Sequence, residues 1–319
     1  MKKPGPILVY SKYDWDLNRF RSMIEASLPG VAVNCASSPE QAEPYLADAE
    51  ILYGWGFPKS LLAAMPKLRW VQKMGAGVDD LVGAWPGLSR VLLTRTDGRL
   101  IASRMVEYVL AALLDKTQKM DVARKQQQEK LWSYYETRSL RQLTVGVAGL
   151  GDIGSEIARA IAMLGAHVRG WRRSQIATDA VSEIYVGDGQ LKDFVRGCDA
   201  VVLILPLTAE TKNLFDRSVL QALKPGVHLI NVGRGNIVDE DALLHALDAD
   251  AGAHATFDVF AIEPLPGDHR LWTHPRVTVT PHICGPLLPE DVVPHFVANY
   301  AALANGTPLR NLIDLKRQY

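Results

Sequence analysis

Short apolar runs alternate with stretches of helical periodicity along most of this chain. Ile7–Tyr10, Val31–Val33, Glu50–Tyr53, Trp70–Gln72 and Val91–Leu93 predict β-strands, and Asp16–Leu28 and Lys59–Ala64 predict helices between them. Ser103 is placed to cap a long helix whose Val106, Val109, Leu110, Leu113 and Leu114 form one stripe; the helix runs on into a polar stretch, Lys119–Lys130. Beyond it, strands are predicted at Val145–Val147, Ala166–Gly170, Ala200–Leu205, His228–Val232, Ala255–Val259 and Val277–Thr280. These are β-branched and nearly continuous in apolar character, as strands buried on both faces are. A helix, Glu240–Leu247, separates two of them. The pattern is α/β, with a doubly wound parallel sheet of roughly six strands in the second half.

The most specific local signal is VAGLGDIGSEIARAIAMLG, where a strand runs into Gly149, Gly151 and Gly154 and then into a helix. In a dinucleotide-binding turn the first glycine makes the turn and the second lets the pyrophosphate approach. The third packs the helix against the strand. Ile153, Ile157, Ile161 and Leu164 keep one face of that helix apolar until Gly165. Its opening amides, with Asp152 and Ile153 in the turn, face the phosphates. The next strand ends at Arg172, Arg173 and Ser174, where an acid usually holds the ribose 2′-hydroxyl. Two cations and a hydroxyl suit a 2′-phosphate instead, which predicts NADP(H), preferred over NADH. The bland alternative is a pair of solvated arginines after a strand.

Composition narrows the classes. Lys+Arg and Asp+Glu balance at 35 each, which argues against a nucleic-acid or membrane-surface partner. No uninterrupted apolar run reaches the ~20 residues of a membrane span. The opening MKKPGPILVY reads as a first strand rather than a signal peptide, because Tyr10, Ser11, Lys12 and Asp14 break its apolar run. Cys35, Cys198 and Cys284 are few, odd in number and widely spaced, pointing to a reducing, cytoplasmic setting and to no metal site. The 319 residues suffice for two domains.

Six ordered segments carry a resemblance: MGAGVDDL (Met74–Leu81), GLGDIG, LPLTAETKNLFD (Leu205–Asp216), NVGRGNIVDEDAL (Asn231–Leu243), FDVFAIEPLP (Phe257–Pro266) and TPHICG (Thr280–Gly285). Through them the chain resembles the D-isomer-specific 2-hydroxyacid dehydrogenases over nearly its whole length. It looks nearest the glyoxylate/hydroxypyruvate reductase branch, by the Tyr53–Trp55 loop, WRRS and the terminal LKRQY.

The resemblance implies a Rossmann-type cofactor domain, residues 100–285, inserted into a flavodoxin-like substrate domain of residues 1–99 and 286–319. Hinges are expected near Gly98–Ile101 and Cys284–Pro289. The family's catalytic arginine, glutamate and histidine fall on Arg234, Glu263 and His282. Arg234 would bind the substrate carboxylate and polarise the ketone. His282 would act as general acid in reduction and base in oxidation, and Glu263 would fix its tautomer and keep it protonated.

Gly75, Ala76 and Gly77 resemble the loop whose amides bind the substrate carboxylate, glycine allowing an unusual backbone there. Trp55 either packs over the substrate's side chain or is a core tryptophan. Leu205, Pro206 and Thr211 resemble the loop along the adenosine and phosphates. Val232, Gly233 and Asp258 resemble positions around the nicotinamide, with a strand-end cap as the alternative for Asp258. A homodimer built by the long helix and the arm after it is implied, and Trp132 in that arm lies where it would reach a partner's site. Cys284, Gly285 and Pro286 after His282, and Arg270, depart from the family's pattern.

The implied activity is NADPH-dependent reduction of a small 2-oxo acid, glyoxylate or hydroxypyruvate first, to the (R)-2-hydroxy acid. A reductase for larger acids such as phenylpyruvate, or a non-catalytic NAD(P) sensor, are the alternatives.

Overall fold

The computed structural model describes residues 4–13, 15–79, 81, 90–174 and 179–314. The chain divides into two compact units, Met1–Ile101 with Leu287–Tyr319, and Ala102–Pro286.

In the first unit the chain runs β1 (Ile7–Ser11), α1 (Leu17–Ser27), β2 (Val33–Ala36), α2 (Pro39–Leu46), β3 (Ile51–Trp55), α3 (Lys59–Ala63), β4 (Trp70–Lys73) and β5 (Leu92–Thr94). Among the described residues these strands form one parallel sheet of order β2-β1-β3-β4-β5, the flavodoxin-like order. Successive side chains alternate between its faces. Leu8, Tyr10, Leu52 and Val71 join one apolar cluster. Ile7, Val9, Ile51, Tyr53 and Trp70 join another. Both faces are covered, which explains why these strands read as unbroken apolar runs.

The second unit holds most of α4 (Arg99–Thr117), then α5 (Met120–Glu129), β6 (Thr144–Ala148), α6 (Asp152–Met163), β7 (His167–Arg172) and β8 (Glu183–Val186). It continues with α7 (Leu191–Arg196), β9 (Ala200–Leu203), α8 (Arg217–Leu220), β10 (His228–Asn231), α9 (Glu240–Ala249), β11 (His254–Phe257) and β12 (Val277–Val279). Among the described residues its sheet has seven parallel strands, ordered β12-β11-β10-β9-β6-β7-β8. The order reverses at β6, the point where α/β sheets of this type bind ligands. The chain then returns to the first unit with α10 (Pro289–Asn305). There Phe296 stacks on Tyr53 and Trp70, with ring centroids 4.3 and 5.1 Å away.

Several elements differ from the sequence reading. The sheet gains β8, a half-exposed edge strand without a clear apolar alternation. Ser103 lies inside α4 rather than at its start. The carboxylate of Asp97 accepts the Arg99 amide at 3.0 Å, so the helix begins a turn earlier than the apolar stripe suggests. The long helix is two, broken at Lys119, which takes φ 49°. On α6, Ile157 and Ile161 are buried, but Leu164 is exposed, because the helix has ended by then. No described helix is long and apolar enough to cross a membrane.

Candidate active site

The glycine turn in the second unit has a steric reason at each position. Gly149 has φ +106°, and a Cβ there would meet the Ile204 carbonyl oxygen at 2.4 Å. A Cβ on Gly154 would lie 1.8 Å from the Gly149 carbonyl oxygen, so only glycine lets α6 pack this close to the turn. A Cβ on Gly151 would meet nothing within 4 Å. Gly151 is the N-cap of α6 and no side chain caps the helix there. Asp152 and Ile153 open the helix beside this space. An open approach over uncapped helix amides fits a pyrophosphate.

β7 carries Arg172 as its last residue, with Arg173 and Ser174 exposed just beyond it. Arg173 forms an ion pair with Glu210, a residue the sequence reading passed over. Glu210 lies in the loop after β9, whose Leu205 is buried. Thr211, expected to face the cofactor, is itself buried; its hydroxyl donates to the Pro206 carbonyl at 2.7 Å and accepts the Thr208 amide at 2.8 Å. These bonds shape the loop.

Beyond β10, Val232 is buried, and a Cβ on Gly233 would press on Leu205 backbone at 2.9 Å. Asn231, fully buried and also absent from the expected set, accepts the Gly233 amide at 3.1 Å and donates to the Arg234 carbonyl at 3.0 Å. It fixes the turn that presents Arg234, whose guanidinium donates to the Gly233 carbonyl at 2.7 Å.

Glu263 and His282 meet directly: Nδ1 of His282 lies 2.8 Å from Oε2 of Glu263. The other carboxylate oxygen accepts the Phe260 amide at 3.0 Å. Burial opposes ionisation of Glu263, but the His282 hydrogen bond and charge, the Phe260 amide and the charge of Arg234 outweigh it. The carboxyl is held below its ordinary range.

His282 has φ 55°, a left-handed conformation uncommon outside glycine. Asp258 holds it there. Fully buried, it accepts the Thr280 hydroxyl at 2.5 Å and the Ile283 and Cys284 amides at 2.8 Å each. The Tyr108 hydroxyl, from α4, adds a bond to Thr280 at 2.6 Å. This is the strand-end role held as the alternative for Asp258 in the sequence reading. Three donors from the 280–284 segment take up its carboxylate, so it positions the histidine turn.

In the first unit, Trp55 ends β3, and its ring occupies the place a Cβ on Gly75 would need, 1.7 Å from Cζ3. Gly75 has no left-handed φ, and the demand for glycine at this position is the ring contact. The ammonium of the buried Lys73 lies 5.2 Å from the Trp55 ring centroid, a cation–π distance. Ala76 and Gly77 are half-buried. Asp80 of the MGAGVDDL segment and the terminal LKRQY lie outside the described residues.

Comparison with known proteins agrees with this architecture. Residues 110–284 match the family model for the NAD-binding domain of D-isomer-specific 2-hydroxyacid dehydrogenases. A Yersinia enterocolitica protein named glyoxylate/hydroxypyruvate reductase A is 36% identical over 270 residues, covering 83% of this chain and 86% of its own. A D-isomer-specific 2-hydroxyacid dehydrogenase from Xanthobacter autotrophicus, solved with NADPH and MES, superimposes with a TM-score of 0.89 at 35% identity, covering 99% of this chain and 100% of that one. The NADPH-dependent glyoxylate/hydroxypyruvate reductase of Sinorhizobium meliloti, solved with NADP and sulfate, gives 0.89 at 28% identity with the same coverage. The chain belongs to the D-isomer-specific 2-hydroxyacid dehydrogenase family.

Proposed function

We propose that this chain uses NADPH to reduce a small 2-oxo acid of the glyoxylate or hydroxypyruvate type to the (R)-2-hydroxy acid. The observation that carries the reading is the His282–Glu263 contact at 2.8 Å. With Nδ1–H donated to Glu263, Nε2 is left to exchange a proton with the substrate oxygen, so the pair sets the tautomer that acid–base work needs. Glu263 stays ionised because its carboxyl is held below the ordinary range. When bound, the nicotinamide supplies the hydride to the carbonyl carbon. The carbonyl electron pair moves to oxygen, which takes the proton from Nε2 of His282. Arg234 holds the carboxylate and steadies the charge growing on oxygen.

The amides of Gly75, Ala76 and Gly77 bind carboxylate, and Trp55 selects the side chain. Arg172, Arg173 and Ser174 take the 2′-phosphate, while Gly149, Gly151, Asp152, Ile153 and Gly154 receive the pyrophosphate. Leu205, Pro206, Thr211, Val232 and Gly233 form the wall along the cofactor. The names of the Yersinia and Sinorhizobium relatives support the substrate class, and the NADPH and NADP in the two solved relatives support the cofactor.

Leu131, Trp132 and Tyr134 are exposed in succession, Trp132 completely. A stretch this apolar is covered by a second copy, making the protein a homodimer. Its three free cysteines suit a reducing cytoplasm.

The test is consumption of NADPH and of NADH against glyoxylate, hydroxypyruvate, pyruvate and phenylpyruvate. Turnover of glyoxylate or hydroxypyruvate with NADPH preferred is the expected result. A best rate with phenylpyruvate moves the substrate to the larger acids. Cofactor binding without turnover of any acid makes the chain a nucleotide sensor and overturns the reading.

A further inference from the structure

The second unit carries a pocket of about 360 Å³ at the amino-terminal edge of its sheet, where β9, β10 and β11 begin. The ligand-facing turns described above lie at the opposite, carboxyl ends of the same strands. Nothing in the dehydrogenase reaction uses this edge. Lys116 from the end of α4, Lys119 and Asp121 around the start of α5, Arg138, Asp199 from the start of β9, His228 and His254 line it. Its volume falls in the range of small-ligand sites.

Three features give the pocket a polarity. First, α5 opens without a side-chain cap: Lys119, its N-cap, has φ 49° and makes no capping bond, and Asp121 and Val122 of its first turn line the cavity. Uncapped opening amides present positive potential. Second, Lys116 is three-quarters buried, and its nearest acid, Asp121, stands off at 3.7 Å, with Asp115 adding a further opposing charge; burial still pulls its affinity for a proton down. Third, His228 is buried, Nε2 engages the Thr256 hydroxyl at 2.8 Å, and Nδ1 is buried with no hydrogen-bond partner. An unsatisfied polar atom of this kind costs about 1–3 kcal/mol.

The remaining charges do not answer this deficit. Asp199 is already engaged by Arg138 at 3.3 Å, Lys224 at 2.8 Å and the Thr144 amide at 2.9 Å. Nδ1 of His254 is taken up by the Gly252 carbonyl at 2.9 Å. Burial, then the charges of Lys116 and His254, push the His228 imidazole down to about 3, so the ring is neutral and offers the cavity a hydrogen-bond donor rather than a charge.

We propose that this pocket is a second ligand site that binds a small oxyanion, a carboxylate or a phosphate, through Lys116, the opening amides of α5 and the Nδ1–H of His228. A ligand oxygen at Nδ1 places the ring proton there, and the Thr256 hydroxyl then donates to Nε2. The site is separate from the cofactor turn and is filled whether or not NADPH is bound.

The experiment follows the imidazole resonances of His228 and His254 by NMR in the NADPH-saturated protein. Inorganic phosphate and malonate are titrated separately, with chloride at matched ionic strength as control. The expected result is a saturable shift of His228 in the millimolar range with phosphate or malonate and none with chloride. Whichever anion binds tighter names the class. Lys116→Met is expected to weaken binding about tenfold, the loss of one hydrogen bond to a charged group. His228→Gln, read by calorimetry, is expected to weaken it as well. Unmoved resonances with both anions, the same shift with chloride, or wild-type affinity in Lys116→Met would each overturn the proposal.

Discussion

Asp258 holds His282 in its left-handed conformation, its carbonyl oxygen accepting the His282 amide at 2.9 Å and its carboxylate the next two amides at 2.8 Å. The strain of a positive φ, of order 1–3 kcal/mol, persists only where the surroundings overdetermine it. Asp258→Asn turns a carboxylate oxygen into an NH2 facing amide donors. We expect kcat to fall at least ~10-fold with a lower Tm, because a lost buried acceptor leaves a donor unpaired. Tyr108→Phe, one bond further out, is expected to have a milder effect on both. Wild-type kcat and Tm in Asp258→Asn would show that the turn holds itself.

Cofactor preference is read through Arg172 and Arg173. The Arg173–Glu210 pair is exposed on both sides, so it contributes at most about 1 kcal/mol and yields to a phosphate. Replacing Arg172 by Asp and Arg173 by Ala is expected to lower the NADPH-to-NADH ratio of kcat/KM at least ~10-fold, the value of one charge-assisted contact. Glu210→Gln is expected to lower the KM for NADPH. An unchanged ratio in the double variant removes the 2′-phosphate argument.

Gly154→Ala sets two effects against each other. Alanine favours a helix over glycine by about 1 kcal/mol. The added methyl would lie 1.8 Å from the Gly149 carbonyl oxygen, and overpacking against backbone typically costs about 1–3 kcal/mol or more. The clash wins, so thermal melting should show a lower Tm together with weaker NADPH binding. A raised Tm would mean that the turn is looser than described.

The glycine turn was legible because its constraint is local: residues five apart decide whether α6 can sit on the end of β6. The strand runs of the first unit were legible for the same reason, since both faces of that sheet are covered and the apolar stretches are unbroken. Other features depend on residues far apart in the chain. The Tyr108–Thr280 bond spans 172 positions. Gly75 is glycine because of the Trp55 ring, which no turn pattern reveals. α10 escaped the periodicity reading because Pro294 interrupts it, although Val292, Val293, Phe296 and Tyr300 bury its inner face. The break at Lys119 had neither glycine nor proline to announce it. Arg234, Glu263 and His282 were named from the family resemblance, whereas Asn231 and the particular amides that Asp258 holds, those of Ile283 and Cys284, required the structure.

Acid stability offers an independent check on the buried imidazole. His228 titrates near 3 in the folded chain and near its ordinary value of about 6.5 when unfolded. Between those values the unfolded chain binds one more proton, so stability falls with falling pH by about 1.4 kcal/mol per pH unit from this group. The His228→Gln variant should lose that part of the slope below pH ~6.5 in denaturant titrations. A slope identical to wild type would place the proton uptake elsewhere.

The most direct test of the account is the proton donor itself. In His282→Gln, NADPH binding and turnover of glyoxylate and hydroxypyruvate are measured side by side with the wild type. The account predicts that kcat falls at least ~100-fold while the NADPH dissociation constant stays close to wild type. A kcat within a few-fold of wild type would contradict it, since the substrate oxygen would then be gaining its proton without His282.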